Sequence, residues 1–305
     1  MKLIESKVEV IEQLPGLDGV YKQIELAGRT CYKSEDKITE DSAKEFVDRM
    51  IKSNHGAMLE HGTVYLKITY PLSDTLSKEE FEEWFDGHRF DCMLSCALCD
   101  NEYTKTRTVE DDTHKTLYIT TNMRVLCTNP FNSLPWGNYI CEPTEHHEKR
   151  ITARFTCDRG VSHEIVRHRV MSFAQESTRY CNYGKDKFGN EITFVKPTWY
   201  DIVTDDQREA FDDILNLSEE AYMALLDRWE NRVPDKRYKT KFKGNPLTPQ
   251  QARQVLPNAL KTEIVVTGFE SDWAHFFELR TAGSAHPDMR KLAIELQEKL
   301  NSVNK

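Results

Sequence analysis

The chain has 305 residues, of which 39% are hydrophobic, 10% aromatic and 30% charged, the balance of an ordinary globular protein. No apolar run approaches the ~18 residues that span a bilayer, and the opening MKLIESKVEVIEQL lacks the apolar core of a signal peptide, so a cytoplasmic protein without membrane association is expected. The net charge of −9 weighs against broad nucleic-acid binding, which needs Lys and Arg to neutralise phosphates, and leaves a small anion held by local positive charge as the partner to look for.

Residues 40–54 (EDSAKEFVDRMIKSN) place Ala43, Phe46, Val47 and Met50 at helical spacing. HGAMLEHGTVYLKITYPL then turns to alternation, with Val64, Leu66 and Ile68 on one face of a strand. From about residue 73 to 150 the pattern is irregular and rich in Cys, Thr, Asn and charge. It reads as an insertion in a single catalytic domain spanning 1–305, with a short helix over SKEEFEEWF and a strand over TLYITTNMRVL. RITARFTCD reads as another strand and VSHEIVRHR as a short helix. Residues 205–231 give the longest helix, striped by Phe211, Ile214, Leu215, Ala221, Tyr222, Leu225 and Trp229. A further helix starts at Thr248-Pro249-Gln250-Gln251, where Thr caps, Pro suits the first turn and Gln251 completes a capping box. Trp273, Phe276, Phe277 and Arg280 share one face of the next helix, and the last runs from about Pro287. Helices outnumber strands, so the expected class is α+β.

Eight cysteines follow no regular framework, and in a cytosolic chain they are read as buried or free thiols. Cys92, Cys96 and Cys99 are the cluster to test as a metal site. Zinc needs four ligands, and the spacing selects none of His88, His114 and Cys127 as the fourth, so no metal is expected.

The stretch 161–180, VSHEIVRHRVMSFAQESTRY, sets Arg167, His168 and Arg169 side by side, with Arg179 beyond. Such a run is usually a solvated face. Here apolar Ile165-Val166 precede it and Val170-Met171 and Phe173 follow, so it is expected in partly buried chain. Buried cations need compensating anions. Phosphate suits guanidinium in a bidentate way, and Ser172, Ser177 and Thr178 add neutral donors.

Arg167-His168-Arg169, seven residues, then Ser177 and the closing Arg179-Tyr180 resemble the RHR-x7-S signature of the flavin-dependent thymidylate synthases. Residues 55–61, HGAMLEH, resemble that family's His-x3-Pro-x-Glu-His element, with Met58 where Pro is usual. ARQVLP at 252–257 and then Arg280 resemble its C-terminal half, so the resemblance covers roughly 25–72 and 150–295. It implies a central sheet flanked by helices, in a homotetramer with active sites between subunits. It also implies the conversion of dUMP to dTMP: 5,10-methylenetetrahydrofolate gives the carbon, and FAD reduced by NADPH gives the hydride.

By position, the resemblance assigns Glu164, Arg167, Gln175, Glu176, Ser177, Thr178, Arg179, Arg253 and Arg280 to dUMP. It assigns Arg167, His168, Arg169, Gln175, His275 and His55 to FAD. Arg280 is the catalytic candidate, a fixed cation for charge developing on the pyrimidine ring; the alternative is a salt bridge with Glu278 or Asp288. Ser177 has no evident general base nearby and is assigned to positioning. His275, His55 and His61 have the alternative of hydrogen-bonded core residues. Cys181, beside the signature, is not needed as a nucleophile.

One departure stands out. The family's Asn-x-Arg flavin element falls here on Phe269-Glu270-Ser271, whereas Asn122-Met123-Arg124 in the insertion has the missing pattern. Asn122 and Arg124 are read as its substitute in space; the alternative is a strand end with an exposed Arg. The basic run 235–245 is a solvated loop or a dock for NADPH or folate. A hydroxymethylating enzyme on the same scaffold is a second reading of the chain. A zinc-stabilised nucleic-acid module built on Cys92–Cys99 is a third, disfavoured by the acidic charge and the signature.

Overall fold

The computed structural model describes residues 1–72, 76–128, 131–226 and 246–303. The first half runs β1 (Lys2–Ile4), β2 (Lys7–Ile11), α1 (Gly16–Tyr32), α2 (Ser42–Lys52), α3 (Gly56–Leu59), β3 (Thr63–Pro71), α4 (Lys78–Gly87), α5 (Arg89–Cys99), β4 (Lys105–Glu110), β5 (His114–Asn122) and α6 (Met123–Leu126). The second runs β6 (Arg150–Asp158), α7 (Arg159–Ile165), β7 (Ser172–Gln175), β8 (Thr193–Val195), α8 (Asp205–Leu225), α9 (Pro249–Ala252), β9 (Lys261–Phe269), α10 (Glu270–Arg280) and α11 (Pro287–Val303).

The α+β class holds, but the single central sheet does not. An antiparallel four-stranded sheet, β2-β6-β9-β7, stands apart from an antiparallel three-stranded sheet, β3-β5-β4, and from the parallel pair β1-β8. Strand alternation explains how the larger sheet is covered on both faces. Ile264 and Val266 of β9 face Phe155, Trp273 and Phe276 and the α11 residues Leu292 and Leu296. Val265, between them, packs instead with Ala27 of α1 and Ala174 of β7. The smaller sheet buries Val64, Leu66 and Ile68 with Ile119, Leu94 and Leu98, and with Phe46 and Val47 of α2. Each such side chain contributes about 1.5–3 kcal/mol on burial. Helix α1 touches both sheets and joins them.

The insertion is more regular than its composition suggests. Helix α4 opens on a capping box in which Ser77 Oγ accepts from Glu80 N and the Glu80 carboxylate accepts from Ser77 N. Strand β4 is an edge with mostly exposed side chains, so it carries no apolar alternation to read. Helix α8 is seen to Leu225, and Ile214 lies off its buried stripe at 55% exposed; Trp229 and the basic run 235–245 lie outside the described residues. The helix begun at Thr248 is four residues long. Among the described residues, no helix is long and apolar enough to cross a membrane, and no three His, Cys, Asp or Glu side chains group as a metal site.

Candidate active site

Helix α7 is short because its sequence caps it at one end and turns polar at the other. Asp158 Oδ1 accepts from Val161 N (2.8 Å), and the helix ends at Ile165, so Arg167, His168 and Arg169 lie in the loop that leads to β7. The expectation of a partly buried cationic run needs correcting. Only His168 is buried; Arg167 and Arg169 are exposed, and their side chains make no hydrogen bond or ion pair among the described residues.

Arg280, the last residue of α10, reaches back to this loop. Its Nε donates to His168 Nε2 (2.8 Å), one terminal nitrogen to Glu164 Oε2 (2.5 Å) and the other to the Glu164 carbonyl (3.0 Å). The salt bridge weighed for Arg280 therefore exists, but with Glu164 rather than with Glu278 or Asp288. Glu278 faces His275 (3.5 Å), and Asp288 accepts from Thr198 N (2.6 Å). His275 is exposed rather than a core histidine, its ring 6.4 Å from that of His168. Burial first, then the positive charge of Arg280 and the neighbouring His275, push the His168 pKa down to about 4.

A second group forms where β7 ends. Arg253 donates to Thr178 Oγ1 (3.1 Å), and Arg179 Nε donates to Gln250 Oε1 (3.1 Å). Tyr180, 60% exposed, meets Tyr32 edge-on, with the Arg179 guanidinium 5.5 Å from its ring centre. The Ser177 amide donates to the Cys31 carbonyl (2.9 Å), which fixes the start of this segment. Gln175, at the end of β7, ties α7 to β9, donating to Ser162 Oγ (2.8 Å) and to Thr262 Oγ1 (3.2 Å).

Glu176 turns inward. Its buried carboxylate accepts from Lys261 (2.9 Å) and Tyr183 (2.9 Å), so it serves the core rather than an open surface. Lys261 also pairs with Glu263 (2.6 Å), which in turn pairs with Lys33 (3.0 Å). Burial pushes the Glu263 carboxyl up, but Lys261 and Lys33 outweigh it and hold the pKa at about 2. Sequence reasoning missed this ladder, since its members lie far apart in the chain.

The insertion's Asn-x-Arg divides. Asn122 is buried and its Oδ1 accepts from Val125 N (3.2 Å), so it caps α6 and is committed there. Arg124 is exposed and pairs with Glu60, its side chain lying against Gly56. His55 is exposed at the start of α3, not in the core. His61 is fully buried, with Nδ1 2.8 Å from Thr267 Oγ1, as its core alternative proposes. A cleft of about 510 Å³ is lined by Leu14, Val20, Thr63, Tyr65, Arg150 and Glu270 among others, and by none of the candidate residues.

Comparison with known proteins bears on the same stretch. The family described as thymidylate synthase complementing protein (Thy1) matches residues 139–304. His55 and the 55–61 element lie outside that match. Inside it, Pro143-Thr144-Glu145-His146 has the Pro-x-Glu-His spacing, but Tyr139 stands where the element's leading histidine would fall. A flavin-dependent thymidylate synthase of Mycolicibacterium gilvum is 35% identical over 147 residues, 48% of this chain and 54% of that protein. Those of Geobacter sulfurreducens and Corynebacterium glutamicum are 33% and 36% identical over 45% and 47% of this chain, and 50% and 53% of theirs. The chain spans about half the length of the curated relatives it matches. A crystal structure of the UMP/dUMP methylase PolB from Streptomyces cacaoi, bound with 5-Br dUMP, aligns over 99% of this chain and 93% of its own. At 16% identity and a TM-score of 0.41 it carries no weight here. With more than half of its residues inside the family match, the chain belongs to the thymidylate synthase complementing protein family.

Proposed function

We propose that the protein is a flavin-dependent thymidylate synthase, a cytoplasmic homotetramer of single-domain subunits that methylates dUMP with 5,10-methylenetetrahydrofolate and NADPH. The reading is carried by one convergence. Inside the family match stand two side-chain groups, Glu164–His168–Arg280 and Thr178–Arg179–Gln250–Arg253, and Gln175 between them in sequence ties helix α7 to strand β9. Arg179 and Arg253 suit the nucleotide phosphate, with Thr178 as a neutral donor beside them. Ser177 orients the segment by its backbone. Arg280, locked by Glu164, is a fixed cation where negative charge develops on the pyrimidine, which lowers the barrier without reorganisation during the reaction.

The residues present fit a flavin dinucleotide in part. Arg167 and Arg169 are exposed cations with no side-chain partner among the described residues, so they would hold the FAD phosphates, with His275 and His55 as further exposed candidates. FAD, once reduced by NADPH, supplies the hydride. Asn122 does not fit, because its side chain is spent on a helix cap.

The test is a mass spectrum of the nucleotide formed from dUMP with FAD, NADPH and methylenetetrahydrofolate. A product heavier by one methylene unit is expected. Unchanged dUMP with folded, flavin-loaded protein would refute the assignment.

A further inference from the structure

We propose that His168 is a positioning residue for Arg280, directing the guanidinium toward the nucleotide through its Nε2 atom. The proposal rests on the nucleotide reading above and deepens it. A side chain at the C-terminal end of a helix has wide rotamer freedom, and Arg280 stands at the end of α10. Two kinds of contact remove that freedom. Glu164 takes one N–H from each terminal nitrogen, on its carboxylate and its carbonyl, and so holds the outer edge of the group in place. His168 takes the Nε–H, the donor nearest the aliphatic stem, and so sets the plane of the group. A guanidinium has further N–H donors on both terminal nitrogens, and these remain for a ligand.

The histidine is itself immobilised. Its ring is buried and meets Phe276 edge-on at 4.8 Å. To accept from Arg280, Nε2 must carry no proton, which leaves the proton of the neutral ring on Nδ1. Protonating Nε2 would set two N–H groups against each other at 2.8 Å. Burial and the Arg280 charge oppose that, in keeping with the lowered pKa. His168 is therefore not a proton carrier at neutral pH. Its two neighbours in sequence, Arg167 and Arg169, are exposed, so the RHR triplet divides its work between surface charge and internal alignment.

The test uses FAD-loaded protein, selectively 15N-labelled at histidine, with H168L and H168Q beside the wild type. The His168 ring signals, assigned by their loss in H168Q, are expected to report a neutral ring protonated on Nδ1. H168L is expected to weaken dUMP binding about tenfold or more, the scale of a lost hydrogen bond to a charged group, with flavin absorbance per protein unchanged. H168Q, whose amide oxygen reaches the place of Nε2, is expected to recover binding to within about threefold. An Nε2-protonated ring would overturn the proposal, as would flavin loss in H168L with dUMP binding intact. If H168L does not fold, the wild-type spectrum and H168Q still decide. If the wild type binds no dUMP, the nucleotide reading fails separately, and the ring tautomer still decides the contact.

Discussion

The two larger sheets of the chain bury polar groups in different ways. Within residues 62–149, which hold the three-stranded sheet, the described buried polar side chains are Thr63, Ser95, Thr104, Thr120, Thr121, Asn122 and His147. None of these is a carboxylate, a lysine or an arginine. The buried carboxylates Glu25, Glu176, Glu219 and Asp288 all belong to the rest of the chain. A hydroxyl or amide needs one neighbour, whereas a buried charge needs a placed counter-charge. The three-stranded lobe is thus held by packing, and the part carrying the family match by packing and placed charge together.

The largest effect should come from breaking a placed charge. Lys261→Met leaves the Glu176 carboxylate buried without its cation, and about 3–5 kcal/mol should be lost in urea unfolding. A loss below about 1 kcal/mol would erase the contrast between the lobes. Leu66→Ala, in the packed lobe, should cost about 2–5 kcal/mol by opening a cavity. Amide exchange should rise along β3 and β5, while dUMP affinity holds; a fall in affinity would mean the lobes are not separable.

Acid should act mainly through the buried histidines. Burial, then Arg150, pushes His61 down to about 3, and His168 stands at about 4. Both values lie below the ordinary 6.5, so the unfolded chain binds these protons more readily. Stability should be full above pH 6.5 and fall as pH drops toward 4, by at most about 1.4 kcal/mol per pH unit for each group. Glu263, depressed to about 2, should add its loss only below about pH 4.5. Flat stability from pH 7 to 5 would contradict these environments. The smallest effect is Asn122→Ala, about 1 kcal/mol for a lost helix cap, with flavin affinity unchanged. Arg124→Ala tests the remaining half of that pair. A lower FAD affinity would show that the packed lobe also serves the cofactor, and an unchanged one would remove it from the site.

Local patterns were legible in the sequence, and pairings across the chain were not. The faces of α2, β3 and α10 follow from period alone, because Phe46, Leu66 and Phe276 recur in step with neighbours that share their environment. The separation of β3 from the four-stranded sheet depends on which strand pairs with which, and no residue of β3 encodes that. β4 escaped because an exposed edge has no apolar face. At the site, the signature gave the loop, but the partner of Arg280 lies 116 positions away, and sequence suggested nearer acids. Glu176 stands among ligand-facing candidates in the sequence and turns to Lys261 in space, a partner 85 positions away that no local pattern reveals.

The ladder Lys33–Glu263–Lys261–Glu176 has a thermal consequence. Stripping water from ions costs less as temperature rises, whereas apolar stabilisation levels off. On heating, the segment from Ser177 to Arg179, anchored through Glu176, should therefore keep its order after the apolar three-stranded lobe begins to loosen. The segment proposed to face the nucleotide would then outlast that lobe.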